Sequence, residues 1–496
     1  MNSGPQVKFT IFLLSVCLLF SAAGRELTLK IIQTTDLHGA LSQDRLAGVA
    51  AVVEDETISA GGPEKSLRID CGDLIQGSYP MTLPEGRSLM IRYLNLLQYD
   101  VFVPGNHDFE FGASVLLPLL RKFSGSVLAA NLDWPDAPVS AWKMFRRNGI
   151  DIAVIGIAYP SLERMFIPPV LGAARPLSVE KQLEHVMPQV MRARPGLIVL
   201  AIHAGAQVRF GPGFSMYDLI RKYPQIDLGL CGHTHQAEPG RALGDSWLLQ
   251  APPLAQGAAV AEIVYDPGRK KILSQRTRLV MAKGAPVDNR TVSGVHGRIH
   301  PEVKKAAGAV DSRTFRAMRH KIADLPFGLR LPEKNEYRTP WTQLCGEAIM
   351  AQTGAHVVFY SGDGKFQVKP GRLSEFYLYL LLPYQNYAVT VELTPDEVRA
   401  VLTEQLRFRK KKGMYQAPAG IRFTVSRGRV DGFVLENLPP GAKTCRCAFS
   451  SYVFAGSGKY PVLHSVLKNK KPEYCPRPIR EMVAGHLAGK YSAERK

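Results

Sequence analysis

Acidic residues are scarce in this 496-residue chain: 43 aspartates and glutamates stand against 62 lysines and arginines, a formal net charge of +19. The imbalance creates a field that attracts anions, whether phosphorylated substrates, nucleic acid, or acidic polymers and lipids, and by itself does not choose among them. Long apolar runs are also missing. The one such run, residues 10–20, falls short of the ~20 residues that span a bilayer, which excludes a multi-span membrane protein. No internal repeat or low-complexity tract is present, and a composition of 46% hydrophobic and 21% charged residues is neither fibrous nor disordered. A chain of this length exceeds one ordinary hydrophobic core, so two domains are expected.

The apolar run follows Lys8 and ends in Ser21-Ala22-Ala23, the layout of a cleaved signal peptide. Export and cleavage near Ala23 are expected, giving a periplasmic or extracellular protein with no transmembrane segment in the mature chain. Cys17 leaves with the signal and, preceded by Val16, lacks the small neighbour of a lipid-anchoring cysteine. Six cysteines remain: Cys71, Cys231, Cys345, Cys445, Cys447 and Cys475. That even number permits disulfides in an oxidising compartment, with Cys475 to Cys445 or Cys447 a plausible local pair. A bridge between Cys445 and Cys447, two positions apart, would be strained. A zinc site at these three cysteines lacks a fourth ligand.

From residue 24 to about 282, short β-rich apolar runs alternate with longer, helix-compatible segments, the pattern of a layered α/β domain. Five of the runs stop at a residue able to bind a metal. "LTLKIIQTTDLHG" delivers Asp36 and His38; "SLRIDCGD" delivers Asp73; "DVFVPGNHD" delivers Asn106 and His107; "GLIVLAIHAG" delivers His203; "QIDLGLCGHTH" delivers His233 and His235. Ligands in α/β sheets sit beyond the carboxyl ends of the strands, so these five ends can share one site. The runs "IDIAVIGIAYP" and "AAVAEIVYD" end without such a set and read as architectural. Residues 283–325 form an expected linker, with a bridging helix beginning at Pro301. Residues 326–496 read as a second α/β or α+β unit, with a helix around Trp341 to Thr353, strands "HVVFY" and "YAVTVEL", and a helix capped by Thr394-Pro395. The basic runs "RFRKKKG" and "KNKKP" read as solvated surface, and no stable nucleic-acid partner is expected.

Asp36, His38, Asp73, Asn106, His203, His233 and His235 supply carboxylate, imidazole and amide ligands without a thiolate. Such a mixed set suits zinc, manganese, iron or cobalt, whereas calcium and magnesium prefer oxygen alone. Seven ligands exceed the need of one tetrahedral ion. Two divalent ions sharing a carboxylate, with Asp73 the candidate bridge, would use them all. Cys71 and Cys231, two positions before ligands, read as packing beneath the ions, with thiolate ligation possible but redundant.

The order DxH, GD, GNH[DE], H, GHxH resembles the calcineurin-like metallophosphoesterases. Within them, "TTDLHGAL", "DCGDLIQGS", "VPGNHDFEFG" and "CGHTHQAEP" are similar to the bacterial 5'-nucleotidase and 2',3'-cyclic-nucleotide phosphodiesterase family. The resemblance implies a four-layer α/β/β/α catalytic domain followed by a C-terminal 5'-nucleotidase-type substrate domain. It further implies an enzyme that hydrolyses phosphomonoester or cyclic phosphodiester bonds with a metal-activated hydroxide. One ion would take Asp36, His38, Asp73 and His235; the other would take Asp73, Asn106, His203 and His233. His107 corresponds to the catalytic histidine. Glu110 stands where a pairing aspartate is frequent. Asp108 is expected to support a ligand without being one.

In the second domain the family's nucleoside-binding pattern is altered. Ser361 stands at an asparagine position and Phe366 at an arginine position, with Lys365 the nearest cation. Tyr384 and Asn386 are kept in "LPYQN". Ser457 replaces an aspartate, and Tyr460 offers a second ring for stacking a base. The leading expectation is therefore a small-molecule phosphoester substrate, most naturally a nucleotide. A different phosphorylated metabolite or a sugar nucleotide is the alternative within catalysis, and a noncatalytic polyanion binder is the alternative outside it.

Overall fold

The segment Leu197–Ile202 is apolar throughout and every residue in it is buried, as a central parallel strand requires. Its neighbours Ile150–Ile157 and Leu228–Leu230 run parallel to it. In the computed structural model, which describes residues 26–41, 44–207, 214–285, 296–333, 336–362, 366–408, 415–426, 429–456 and 460–491, these strands form the middle of a six-stranded sheet. A second, seven-stranded sheet holds Leu27–Thr34, Ser66–Asp70, Val101–Phe102 and Ser126–Leu128 as successive parallel strands. The antiparallel strands Gly257–Asp266 and Lys271–Met281 complete its other edge.

Alternating side chains divide the apolar residues between faces. Ile31, Ile69, Val101, Val154, Val199 and Leu228 meet in one core between the sheets. Ile32 and Phe102 point the other way, toward the helices Arg45–Ala60, Pro84–Leu96 and Ala113–Leu120. Ile155, Leu200 and Ile202 pack against Val179–Arg192 and Met216–Lys222. The result is the expected four-layer α/β/β/α arrangement. Helix ends carry local reasons. Ser178 accepts a hydrogen bond from the Lys181 amide, and Ser215 and Asp218 form a reciprocal capping box.

Helix Pro301–Met318 begins at the proline marked in the sequence, and its Val303, Ala307 and Val310 join the core beneath Arg45–Ala60 and Pro84–Leu96. The next strand, Lys321–Leu325, pairs with Gly371–Ser374. The second unit is a five-stranded mixed sheet ordered Pro418–Ala419, Val357–Phe359, Cys445–Ser450, Tyr387–Leu393, Glu473–Pro478. Pro340–Thr353 and Ile479–Tyr491 cover one face, and Pro395–Phe408 and Pro461–Leu467 the other. Among the described residues no helix is long and apolar enough to cross a membrane. The expected signal segment, with Cys17, lies outside the described residues.

The sheet order corrects the disulfide expectation. Cys445 and Cys447 face the helices Pro395–Phe408 and Pro461–Leu467, whereas Cys475 packs against the opposite core and is separated from them by the intervening strand Tyr387–Leu393. All six described cysteines are free thiols. Cys445 and Cys447 lie Sγ to Sγ at 3.4 Å, side by side on one strand face.

Candidate metal centre and active site

Parallel pairing in register sets the site. Thr34 aligns with Asp70, and Asp70 with Phe102, so the loops after these strands leave the sheet at one level. Leu197–Ile202 and Leu228–Leu230 end on the same side. The chain then turns sharply. Asp36, His38, Asp73, His233 and His235 have φ of 52°, 49°, 56°, 71° and 57°, the left-handed region that side-chain-bearing residues rarely occupy. Five of seven candidate ligands in strained backbone mark a functional constraint. Gly105 follows from the same crowding. A Cβ there would lie 2.3 Å from Asp73 Oδ1 and 2.7 Å from His203 Cε1.

The donors gather into two groups, Asp36 with His38 and His235, and Asp73 with His203 and His233. His38 Nδ1–H donates to the Gln76 carbonyl at 2.8 Å, and His203 Nδ1–H donates to the Cys71 carbonyl at 2.6 Å. Each bond fixes the tautomer and leaves Nε2 a bare lone pair facing the site. His38 Nε2 meets His235 Nε2 at 3.0 Å, and Asp36 Oδ1 lies 3.4 Å from His235 Nε2. Asp73 Oδ2 lies 3.1 Å from His203 Nε2 and 3.8 Å from His38 Nε2, and therefore faces both groups. His203 Nε2 and Asn106 Nδ2 are buried without a hydrogen-bond partner among the described residues. Converging lone pairs, two carboxylates and orphaned buried polar atoms fit a cation-binding centre.

Electrostatics agree. Burial acts to lower the His203 pKa, but the Asp73 carboxylate beside it overrides that and lifts it to about 10, the mark of a negative field in which a bound cation could take the place of that proton. His233 is pushed down to about 4 by burial and by His203, and stays neutral.

Around the ligands, Asp108 accepts from the backbone amides of Asp73, Leu74, Ile75 and Gly105 at 2.7–3.2 Å. It thereby braces two loops that carry candidate ligands at once. Asp36 accepts from the Thr35 hydroxyl and from the His233 amide. His233 Nδ1 meets Asn106 Oδ1 at 2.9 Å. The Cys71 and Cys231 thiols are buried, and burial raises both, Cys231 to about 12. Tyr159, at the end of a run expected to be architectural, has its ring 4.5 Å from His233 and borders the centre. Its only sequence signal was the aromatic residue just after the strand Ile150–Ile157.

His107 stands beside the donors, its amide donating to Asp73 Oδ1 at 2.7 Å and its ring 5.3 Å from that of His38. Nδ1 lies 3.2 Å from Glu110 Oε2. Burial acts to lower the imidazole pKa, yet the Asp73 and Glu110 carboxylates together raise it to about 9.

The second domain reaches this place through the loop 382–387. Tyr384 lies over His107, centroids 5.9 Å apart and planes 21° apart, with a good part of its surface still exposed. Asn386 is buried behind it. Phe366 is an exposed ring. Two expected substrate residues turn inward. The Ser361 hydroxyl donates to the Tyr415 carbonyl at 2.8 Å and accepts from the Ala417 amide at 2.6 Å, bracing the loop it sits in. Tyr460 is 2% exposed and edge-on to Phe408 at 5.3 Å, a core residue with no face left for a base. Lys365 and Ser457 lie outside the described residues.

Two family models match the chain: Calcineurin-like phosphoesterase over residues 29–237, and 5'-nucleotidase, C-terminal domain, over residues 320–465. The chain is similar to protein UshA of Escherichia coli strain K12, with 21% identity over 496 aligned positions covering 90% of this chain and 87% of that one. It is also similar to a 5'-nucleotidase of Vibrio vulnificus, 22% identical over 89% of this chain and 87% of the relative. A Staphylococcus aureus protein described as a 5'-nucleotidase, solved with alpha-ketoglutarate, shares the fold with a TM-score of 0.73 over 94% of this chain and 98% of that one at 15% identity.

Proposed function

Because the chain belongs to the calcineurin-like phosphoesterases and carries a 5'-nucleotidase C-terminal domain, it is a hydrolase, and we propose that it is an exported, two-metal enzyme cleaving phosphomonoester or cyclic phosphodiester bonds of nucleotides. The observation that carries this reading is the meeting of two donor groups on either side of Asp73, with His107 next to them. Asp36, His38, Asp73 and His235 would hold one divalent ion, and Asp73, Asn106, His203 and His233 the other. Zinc, manganese, iron and cobalt all suit the donors. Such a pair, when bound, supplies Lewis-acid polarisation of a phosphoryl group and a water acidic enough to react at neutral pH.

The protein's own groups do the rest. His107, kept positive by the carboxylates beside it, neutralises charge on the phosphoryl oxygens and has a proton to give the departing oxygen. Glu110 orients that imidazole. Tyr384 offers a flat face next to the reacting centre, and stacking on such a ring is worth about 1–3 kcal/mol per base. Export rests on the N-terminal sequence alone.

A second reading, hydrolysis of a phosphoester without a base, is favoured by the inward turn of Ser361 and Tyr460, which leaves Tyr384 as the ring seated at His107. Metal-loaded protein assayed on 5'-, 3'- and 2',3'-cyclic nucleotides, sugar nucleotides and sugar phosphates separates the two. Nucleotides should show the highest kcat/KM. A preference for base-free esters would replace the first reading with the second, and no turnover of any member alongside salt-sensitive polyanion binding would defeat both.

A further inference from the structure

Glu110 is nearly buried, and its two carboxylate oxygens face different domains. Oε2 lies 3.2 Å from His107 Nδ1, inside the catalytic domain. Oε1 accepts a 2.6 Å hydrogen bond from the backbone amide of Gln385, in the second domain. The loop carrying Gln385 is held from behind. Arg480, at the start of helix Ile479–Tyr491, donates to the Leu382 carbonyl at 3.0 Å and to Gln385 Oε1 at 3.3 Å. The Ile479 amide donates to the Asn386 carbonyl at 2.8 Å, and the Tyr387 amide donates to the Ser451 hydroxyl at 3.0 Å. In front, Tyr384 presses on the His107 ring.

Two apolar contacts flank the loop and keep it in place. Tyr79 meets the rings of Phe376 and Tyr379 edge-on at 6.2 and 5.5 Å. On the other side Ile167 and Val170 are buried against Val389, with Phe166, Tyr387, Phe454 and Tyr474 around them. The loop is thus a braced part of the second domain, seated on the first beside the catalytic histidine.

We propose that Glu110 is a positioning residue that ties the orientation of His107 to the docking of the second domain: the carboxylate can hold the imidazole in one place only while its other oxygen is fixed by the Gln385 amide. This rests on the reading of His107 as the catalytic histidine. A carboxylate with one free oxygen rotates about its terminal torsion, which is broad and weakly restrained. Hydrogen bonds at both oxygens remove that freedom. Side-chain length is the geometric key, because an aspartate at this position is one methylene shorter and can serve His107 or Gln385 but not span both. The second domain then does more than bind substrate. Its docking completes the catalytic group.

The test compares wild type, Glu110→Asp, Gln385→Pro and the double variant. The aspartate keeps a carboxylate beside His107, and the proline removes the only backbone donor in question. Hydrogen exchange of the peptide covering 382–387 should rise about tenfold in Glu110→Asp while exchange elsewhere in both domains is unchanged. With p-nitrophenyl phosphate, each single variant should lose about tenfold in kcat with KM altered less than about twofold, and the double variant should be no slower than either single one, since both break the same link. Unaltered exchange in the loop, or losses that multiply in the double variant, would overturn the proposal. Should the wild type turn over no phosphoester, the functional reading fails, and the exchange comparison still decides whether the two domains are tied at Glu110.

Discussion

Tyr384 and His107 come from different domains and lie nearly parallel, their ring centroids 5.9 Å apart. A base entering above the reacting centre would meet the tyrosine face. Replacing Tyr384 with alanine should therefore raise KM for a nucleotide by roughly 5–150-fold, the equivalent of about 1–3 kcal/mol of stacking, while a small ester such as p-nitrophenyl phosphate loses little. Equal effects on both substrates would count against stacking.

Asp73 Oδ2 faces His203 on one side and His38 on the other. Asp73→Asn should lower the bound metal by at least one equivalent and abolish turnover, because the asparagine amide cannot serve two ions as an anionic bridge. Elemental analysis beside the activity assay checks this. Two full equivalents in the variant would remove Asp73 from the bridging position.

His107 contributes a ring to the active site but belongs to neither donor group. His107→Ala should lower kcat by about 10²–10⁴, the usual worth of a general acid, with both metals retained. Loss of metal would instead make His107 a ligand.

Asp227 gives a pH prediction away from the metals. Its carboxylate accepts from the Ile198 amide at 2.7 Å, and burial lifts its pKa to about 6. The folded state therefore holds this proton more tightly than the unfolded chain, whose aspartate titrates near about 3.9. The stabilisation is fully present below about pH 4 and is lost as pH rises through about 6, amounting to about 3 kcal/mol. Asp227→Asn keeps an oxygen acceptor without the charge. Its Tm should stay level across that window while the wild type declines, and parallel profiles would contradict the assignment.

The convergence of the candidate ligands was legible because each lies in a short linear motif at the end of an apolar run, and a parallel sheet brings such ends together. Asp108 was legible as a support because it sits between two ligand loops. The substrate side was not. Whether Ser361 or Tyr460 faces a cleft or a core depends on packing against Tyr415, Ala417 and Phe408, all distant in sequence. Strand order hid the cysteines in the same way. Cys475 is a neighbour of Cys447 along the chain, but Tyr387–Leu393 is inserted between their strands and the side chains point to opposite faces. Tyr159 escaped notice because nothing local distinguishes an aromatic residue beside a metal centre from one in a core.

Five donor-bearing residues hold left-handed backbone, a conformation that costs about 1 kcal/mol or more apiece outside glycine. The loops at that end of the molecule are thus assembled against their own preferences, with mutual repulsion among the donors adding to the cost. Capturing ions would offset both, so occupancy would become part of the folding equilibrium and the melting temperature should follow free metal concentration. Chelation would soften this rim of the catalytic domain first and leave the helix-covered sheets beneath it standing.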